Sequence, residues 1–235
     1  MRIENSVAFV TGANRGLGLA FAKALLKGGA GKVYAAARDP DAITLPRLIP
    51  VRLDVTNRQE IEAAAVACGD VDLVINNAGL SRGSALLAPG AIEAARAEME
   101  TNFFGPLLVS RAFAPVLARN GGGAILNVLS ALSWISFPAF ATYSASKSAA
   151  WSLTNGLRNE LREQGTQVVG LHVGFMETEM AAGANAPKSR PEDVANFTLA
   201  ALVAGEEEVL ADEVSRGLRQ GLSAPRGVYL GAPKR

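Results

Sequence analysis

The feature that most constrains this chain is a regular alternation. Short β-branched or apolar runs at residues 7–10, 32–36, 49–53, 73–75, 124–129 and 167–173 are each separated by enough chain for a helix. Runs of this length and spacing pair as parallel strands, because a parallel neighbour can be reached only by a long crossover back to the same end of the sheet. Helical patterns at 17–27, 57–68, 91–120, 143–163 and 191–204 fill the gaps, and several end at Gly or Asn. The expectation is an α/β fold: a doubly wound, Rossmann-type parallel sheet flanked by helices. Residues 1–235 would form a single domain, and the 49% hydrophobic content supplies enough apolar surface for one such core. The glycines at 121–123 fall between a helix and a strand and read as a turn, not a linker.

Charge and cysteine content exclude several classes of function. Lys plus Arg number 23 against 22 Asp plus Glu, so no global field draws the chain to nucleic acid or an anionic membrane, and neither is expected as a partner. Cys68 is the only cysteine, which precludes an internal disulfide, fits a reducing compartment and argues against a metal cage. The first apolar run starts too close to Met1 for a signal segment, and no apolar stretch reaches the roughly 18 residues needed to span a bilayer. A cytoplasmic location is expected.

In open sheets of this kind ligands bind outside the carboxyl ends of the strands, so the residues following each run carry the chemistry. The first run leads directly into Thr11-Gly12-Ala13-Asn14-Arg15-Gly16-Leu17-Gly18, with a helix opening behind it. Glycines there permit a tight turn and close approach of backbone N–H groups to a pyrophosphate, which the positive end of the helix also favours. At the end of the second run stands Ala35-Ala36-Ala37-Arg38. An NAD site usually places an acid here, against the ribose 2′-hydroxyl; Arg38, helped by Arg15, would instead bond a 2′-phosphate. NADP(H) is therefore expected in preference to NAD(H), with Asp39, one residue on, as the acidic alternative.

Tyr143 and Lys147 are four apart on an expected helix and share one face. An ammonium beside a phenol favours phenolate and brings its titration closer to a useful range, so Tyr143 can act as general acid or base at a carbonyl or alcohol oxygen. Ser130 follows the fifth run and would hold that oxygen through its hydroxyl, with Ser133 as a rival. Pro106 lies four residues after Asn102, depriving the Asn102 carbonyl of its helical N–H donor, and a kink is expected there.

Taken together, the glycine turn, Asp54-Val55, Asn76-Asn77-Ala78-Gly79, Asn102, Ser130 and Tyr143-Ser144-Ala145-Ser146-Lys147 resemble the short-chain dehydrogenase/reductase family over nearly the whole chain. The resemblance implies an NADP-dependent carbonyl reductase or alcohol dehydrogenase. It implies that Asp54 and Val55 contact the adenine region, that Asn77, Ala78 and Gly79 shape the cofactor cleft, and that Lys147 hydrogen-bonds the nicotinamide ribose. It also implies a water at Asn102 linking Lys147 to solvent. Gly174 and Thr178 retain the positions of a family loop, with Thr178 near the nicotinamide carboxamide, although Val173 replaces a frequent proline.

The substrate is expected to be a small carbonyl or alcohol, apolar or aromatic, in a pocket drawn from Trp134, Phe137, Phe140, Phe175, Met176 and Met180. Residues 178–190, with Ala181, Ala182, Gly183 and Ala184, read as a short lid. His172, the only histidine, reads as a strand-end residue satisfied by local hydrogen bonds. Residues 209–210 could form a last strand and 212–222 a helix, in place of the Gly-rich closing segment common in the family. That departure weakens the case for a tetramer; surplus apolar residues on the long helices, namely Leu107, Leu108, Phe113, Trp151, Leu153 and Leu157, point to a homodimer. The alternative function is a non-catalytic NADP(H)-sensing or scaffold protein, against which the retention of Tyr, Lys, Ser and Asn stands.

Overall fold

The computed structural model describes residues 1–183 and 185–231. Seven strands form one parallel sheet: β1 (Val7–Thr11), β2 (Lys32–Ala37), β3 (Leu48–Arg52), β4 (Leu73–Asn76), β5 (Ala124–Val128), β6 (Gln167–His172) and β7 (Glu208–Leu210), in the spatial order β3-β2-β1-β4-β5-β6-β7. The chain winds outward in one direction from β1 and then in the other from β4. A crevice opens at that reversal, between the carboxyl ends of β1 and β4.

Successive side chains of each strand point to opposite faces, and both faces are buried. Ala8 and Val10 join the core beneath α1 (Gly16–Lys27) and α6 (Pro191–Ala204), together with Phe21, Leu25, Leu199 and Leu202. Phe9, between them in sequence, faces the other way into the core beneath α2 (Arg58–Ala67), α4 (Gly105–Arg119) and α5 (Ala141–Glu160). There its ring centroid lies 4.6 Å from that of Phe113.

The continuous helix expected over residues 91–120 is interrupted. α3 (Ala91–Met99) passes into a π-helical segment, Glu100–Phe104, before α4 begins. The Gly105 N–H reaches back five residues to the Glu100 carbonyl, and Pro106 sits in the first turn of α4, where its missing N–H costs least. The expected disturbance at Asn102 is therefore a widened turn.

At the carboxyl end, α7 (Glu213–Gly221) follows β7, and Asp212 caps it by accepting the Ser215 N–H at 2.7 Å. The other Asp212 oxygen accepts the Gly174 N–H at 2.6 Å, tying α7 to the loop after β6. That loop is pinched at its base, where the Glu177 N–H donates to the Ser189 carbonyl and the Ser189 N–H to the Phe175 carbonyl. It holds one short 3-10 turn, Glu179–Ala181; Ala184 lies outside the described residues. Among the described residues no helix is long and apolar enough to cross a membrane, and no cluster of His, Cys, Asp and Glu could hold a metal ion.

Candidate active site

The turns after β1 and β4 are locked into one unit. The Thr11 hydroxyl oxygen accepts the N–H groups of Asn77 and Ala78, both at 3.0 Å. In return the Asn77 amide donates to the carbonyls of Thr11 (2.9 Å) and Gly12 (3.1 Å). Gly12 and Gly16 adopt positive φ. Gly18 is required for space: a Cβ there would lie 2.2 Å from the Gly12 carbonyl oxygen, so Gly18 supports the turn from beneath and does not line the crevice. α1 opens behind this turn with no side-chain cap on its first N–H groups. Close-approach glycines before an uncapped helix N-terminus suit a pyrophosphate.

The crevice has a volume of about 1080 Å³. Gly12, Asn14, Arg15, Gly16 and Leu17 line one end, with Arg38, Asp54 and Val55 beside them; Asn77, Ala78 and Gly79 form its waist. Asn76, by contrast, points into the core, its amide donating to Asn127 and Ser110. Arg38 and Asp39 directly follow β2, are exposed and both line the crevice; the Asp39 carboxylate accepts the Asp41 N–H at 3.2 Å. Burial pushes the Asp54 carboxyl up, but bonds from the Thr56 N–H and hydroxyl, with the charges of Arg38 and Arg52, leave it below the usual carboxylate range. Arg15 forms an exposed ion pair with Glu179 of the loop after β6, both residues lining the crevice.

At the other end lie Ser130, Tyr143 and Lys147, brought together by the end of β5 and the first turns of α5. Ser130 Oγ accepts the Leu132 N–H at 3.1 Å, which leaves the hydroxyl proton free for another partner. Its rival Ser133 is buried, with its own oxygen accepting the Ser130 N–H, and is absent from the crevice wall. Lys147 donates to the Val128 carbonyl at 2.8 Å and stands 5.7 Å from the Tyr143 ring centroid. Burial pushes the Tyr143 phenol up to about 12, only partly offset by Ser130, and a charge on Glu98 adds to the rise. Burial also lowers Lys147 to about 8. The phenol thus stands above its ordinary value and not below it as expected from an adjacent ammonium: desolvation is the largest influence, and the group that lowers it is Ser130.

Asn102 is buried and outside the crevice wall. Its side chain staples the loop after β4 to α5, donating to the Leu80 carbonyl (2.8 Å) and Ser146 Oγ (2.9 Å) and accepting the Leu80 N–H (2.8 Å). Four residues earlier Glu98 makes a second staple, accepting the Arg82 N–H at 2.6 Å while fully buried.

The short chain dehydrogenase family profile matches residues 6–189. The chain belongs to that family. A solved short chain dehydrogenase from Burkholderia cenocepacia in complex with NADP is 43% identical and superimposes with a TM-score of 0.94 over 99% of this chain and 100% of that one. A short-chain dehydrogenase/reductase from Burkholderia phymatum in complex with NAD is 25% identical, with a TM-score of 0.86 over 100% and 99% of the two chains. Oxidoreductase BOA17 of Botryotinia fuckeliana is 33% identical over 184 residues, 74% of this chain and 66% of its own length. As a short-chain dehydrogenase the protein is a nicotinamide-dependent oxidoreductase.

Within this short-chain dehydrogenase, Gly174, Phe175, Met176, Thr178 and Met180 line the crevice as expected, and so do Phe137 and Phe140. Trp134 does not; it stacks on His172 in the interior. The sequence pattern did not identify Val214 and Leu218 of α7 or Arg82, which also line the crevice. Glu98 was missed too, although an acid on the same helical face as Asn102, one turn earlier, was the available signal.

Proposed function

We propose that the protein interconverts a ketone or aldehyde with an alcohol, using NADP(H) in preference to NAD(H), with Tyr143 as general acid/base. The observation that carries the proposal is the convergence of Ser130, Tyr143 and Lys147 on one end of a crevice whose other end is a glycine turn at an uncapped helix N-terminus. Bound cofactor would supply or take the hydride. Gly12, Gly16 and the α1 N-terminus would hold its pyrophosphate, Arg38 and Arg15 a 2′-phosphate, and Asp54, Val55 and Asn77 to Gly79 the adenine and ribose wall. Lys147, Gly174 and Thr178 would face the nicotinamide end.

In reduction, the substrate oxygen sits between the Ser130 hydroxyl and the Tyr143 phenol. A phenol raised to about 12 is fully protonated at neutral pH, so Tyr143 starts with the proton that the oxygen needs as the carbonyl carbon gains hydride. The phenolate left behind is stabilised by the Lys147 ammonium and recovers its proton through it. Pro106 supplies no N–H to the Asn102 carbonyl, which favours a water there as the next link towards solvent.

The substrate end is walled by Leu132, Ile135, Phe137, Phe140, Val214 and Leu218, favouring an apolar or aromatic substrate. Residues 178–190 serve as the lid, and association as a homodimer through α4 and α5 is part of the proposal. Phe113 and Leu157 belong to the core; Leu107, Leu108, Trp151 and Leu153 are half-buried, with Leu108 and Leu153 packed against that core, so their outer edges are what a partner would cover. The test is the initial rate of NADPH and NADH oxidation against a panel of aliphatic and aromatic ketones and aldehydes. Turnover favouring NADPH on apolar carbonyls is expected; no turnover above background on any member would remove the proposal.

A further inference from the structure

The only histidine of the chain is fully buried at the end of β6, with Nδ1 in hydrogen-bond contact and Nε2 without a hydrogen-bond partner. His172 Nδ1 lies 3.1 Å from the Ser130 carbonyl oxygen. On its other side Nε2 is 3.6 Å from Glu208 Oε1, longer than a hydrogen bond, and Glu208 Oε2 accepts from Arg219 at 2.8 Å. The face of the imidazole stacks on Trp134, with centroids 3.9 Å apart and planes 18° from parallel. Ser130 and Trp134 flank the 3-10 turn Ala131–Ser133, so one ring contacts both ends of the turn that carries the serine.

We propose that His172 is a positioning residue for Ser130, donating Nδ1–H to its carbonyl and thereby fixing where its hydroxyl points. The inference rests on Ser130 being the group that holds the substrate oxygen. The Ser130 carbonyl is the only acceptor facing Nδ1 among the described hydrogen bonds, so the bond exists only if that nitrogen carries a proton. His172 and Arg219 together pull Glu208 down to about 2, keeping it anionic behind the ring. Within the turn the Ser133 N–H also donates to the Ser130 carbonyl and the Leu132 N–H to Ser130 Oγ, while the Ala131 N–H donates to the Val173 carbonyl just beyond β6 and Ser148 of α5 donates to the Ser133 carbonyl. Those bonds hold the turn's middle and far end; His172 is the side chain that reaches the carbonyl of Ser130 itself, from β6. A displacement of a fraction of an ångström at a group that orients a reacting atom is enough to cost turnover.

The test combines one spectroscopic and one kinetic measurement. With a single histidine, ring 15N NMR of the wild-type protein reports one imidazole without assignment ambiguity, and a slowly exchanging proton on Nδ1 is expected. A ring protonated on Nε2 alone would overturn the proposal whatever the variants do. In kinetics, His172→Leu should lower kcat about tenfold or more while the Kd for NADPH stays within about twofold, because Ser130 touches substrate and not cofactor. His172→Asn, whose amide places a donor where Nδ1 stood, should recover most of the loss. A folded Leu variant with kcat within twofold of wild type, or an Asn variant no better than Leu, would also overturn it. Should the Leu variant not fold, the NMR result and the Asn variant decide. Absence of wild-type turnover across the carbonyl panel would instead remove the assignment of Ser130, and the positioning role with it, leaving the Nδ1 proton as a structural bond.

Discussion

Replacing Thr11 with Val changes almost nothing in shape but removes the hydroxyl that joins the two halves of the cofactor crevice. Thr11 is buried, and its oxygen is the acceptor for the N–H groups of both Asn77 and Ala78. A buried donor left without a partner costs about 1–3 kcal/mol. The Asn77 N–H keeps a second acceptor in the Ile75 carbonyl at 3.1 Å, so the Ala78 N–H is the donor left unpaired and a destabilisation of about 1–3 kcal/mol follows. In a domain of this size each kcal/mol moves Tm by about 2–4 °C, so thermal unfolding followed by circular dichroism should show a drop of roughly 2–12 °C. NADPH affinity, read by fluorescence titration, should fall as well, because the Gly12 turn and the Asn77–Gly79 edge then separate. Thr11→Ser keeps the acceptor and gives up only a methyl group, worth about 0.8 kcal/mol. A Val variant as stable as the Ser variant, with unchanged NADPH affinity, would refute the coupling of the two turns.

Arg38→Asp should weaken NADPH by about a hundredfold or more and NADH by little, since loss of charge-assisted bonds to a 2′-phosphate is compounded by like-charge repulsion; wild-type protein that already prefers NADH would contradict the assignment. Pro106→Ala restores a donor four residues after Asn102, so the π segment should tighten, turnover should fall more than NADPH binding, and the solvent deuterium isotope effect should rise. An unchanged isotope effect would leave Pro106 a packing role only. Folding stability should depend on pH through Lys147. Its folded value, lowered to about 8 from an ordinary 10.5, means the unfolded chain binds the extra proton between those values, so stability rises from pH 8 towards 10. The gain is on the order of 2 kcal/mol and disappears in Lys147→Met. Above pH 10 the raised Tyr143 opposes it, because the unfolded phenol ionises first. Urea titrations at pH 7.5 and 9.5 that show no difference between wild type and Lys147→Met would contradict the burial of this ammonium.

The sheet was legible because strands buried on both faces read as unbroken apolar runs, and β1, β2 and β4 start where those runs start. α6 was legible at both ends, opening on Pro191 and closing at Gly205 in the left-handed conformation, two positions that few other residues fill. Within 91–120 the place of the disturbance was legible from Pro106, but its form as a π turn was not, since the apolar periodicity runs through it and the bonds of Asn102 and Glu98 to the loop after β4 are tertiary. The members of the crevice end near Ser130 were legible from their order along the chain, but their electrostatics were not. A spacing of four places Lys147 and Tyr143 on one face of α5; it does not tell how deeply the surrounding chain removes both from water, and that burial sets the two titrations. Likewise α7 could be recognised as a helix, while the placing of Val214 and Leu218 in the crevice wall is a tertiary feature, accompanied by the bond of Asp212 to Gly174 across the loop.

The most direct measurement is the comparison of wild type with Tyr143→Phe, in which the ring is kept and only the transferable proton is lost. Steady-state NADPH oxidation with the best carbonyl from the panel, run beside an NADPH fluorescence titration, should show kcat reduced by at least about a hundredfold with the cofactor Kd within about twofold of wild type. A Phe variant that turns over at a rate near that of the wild type, with cofactor bound equally well, would contradict Tyr143 as the acid and base of this short-chain dehydrogenase.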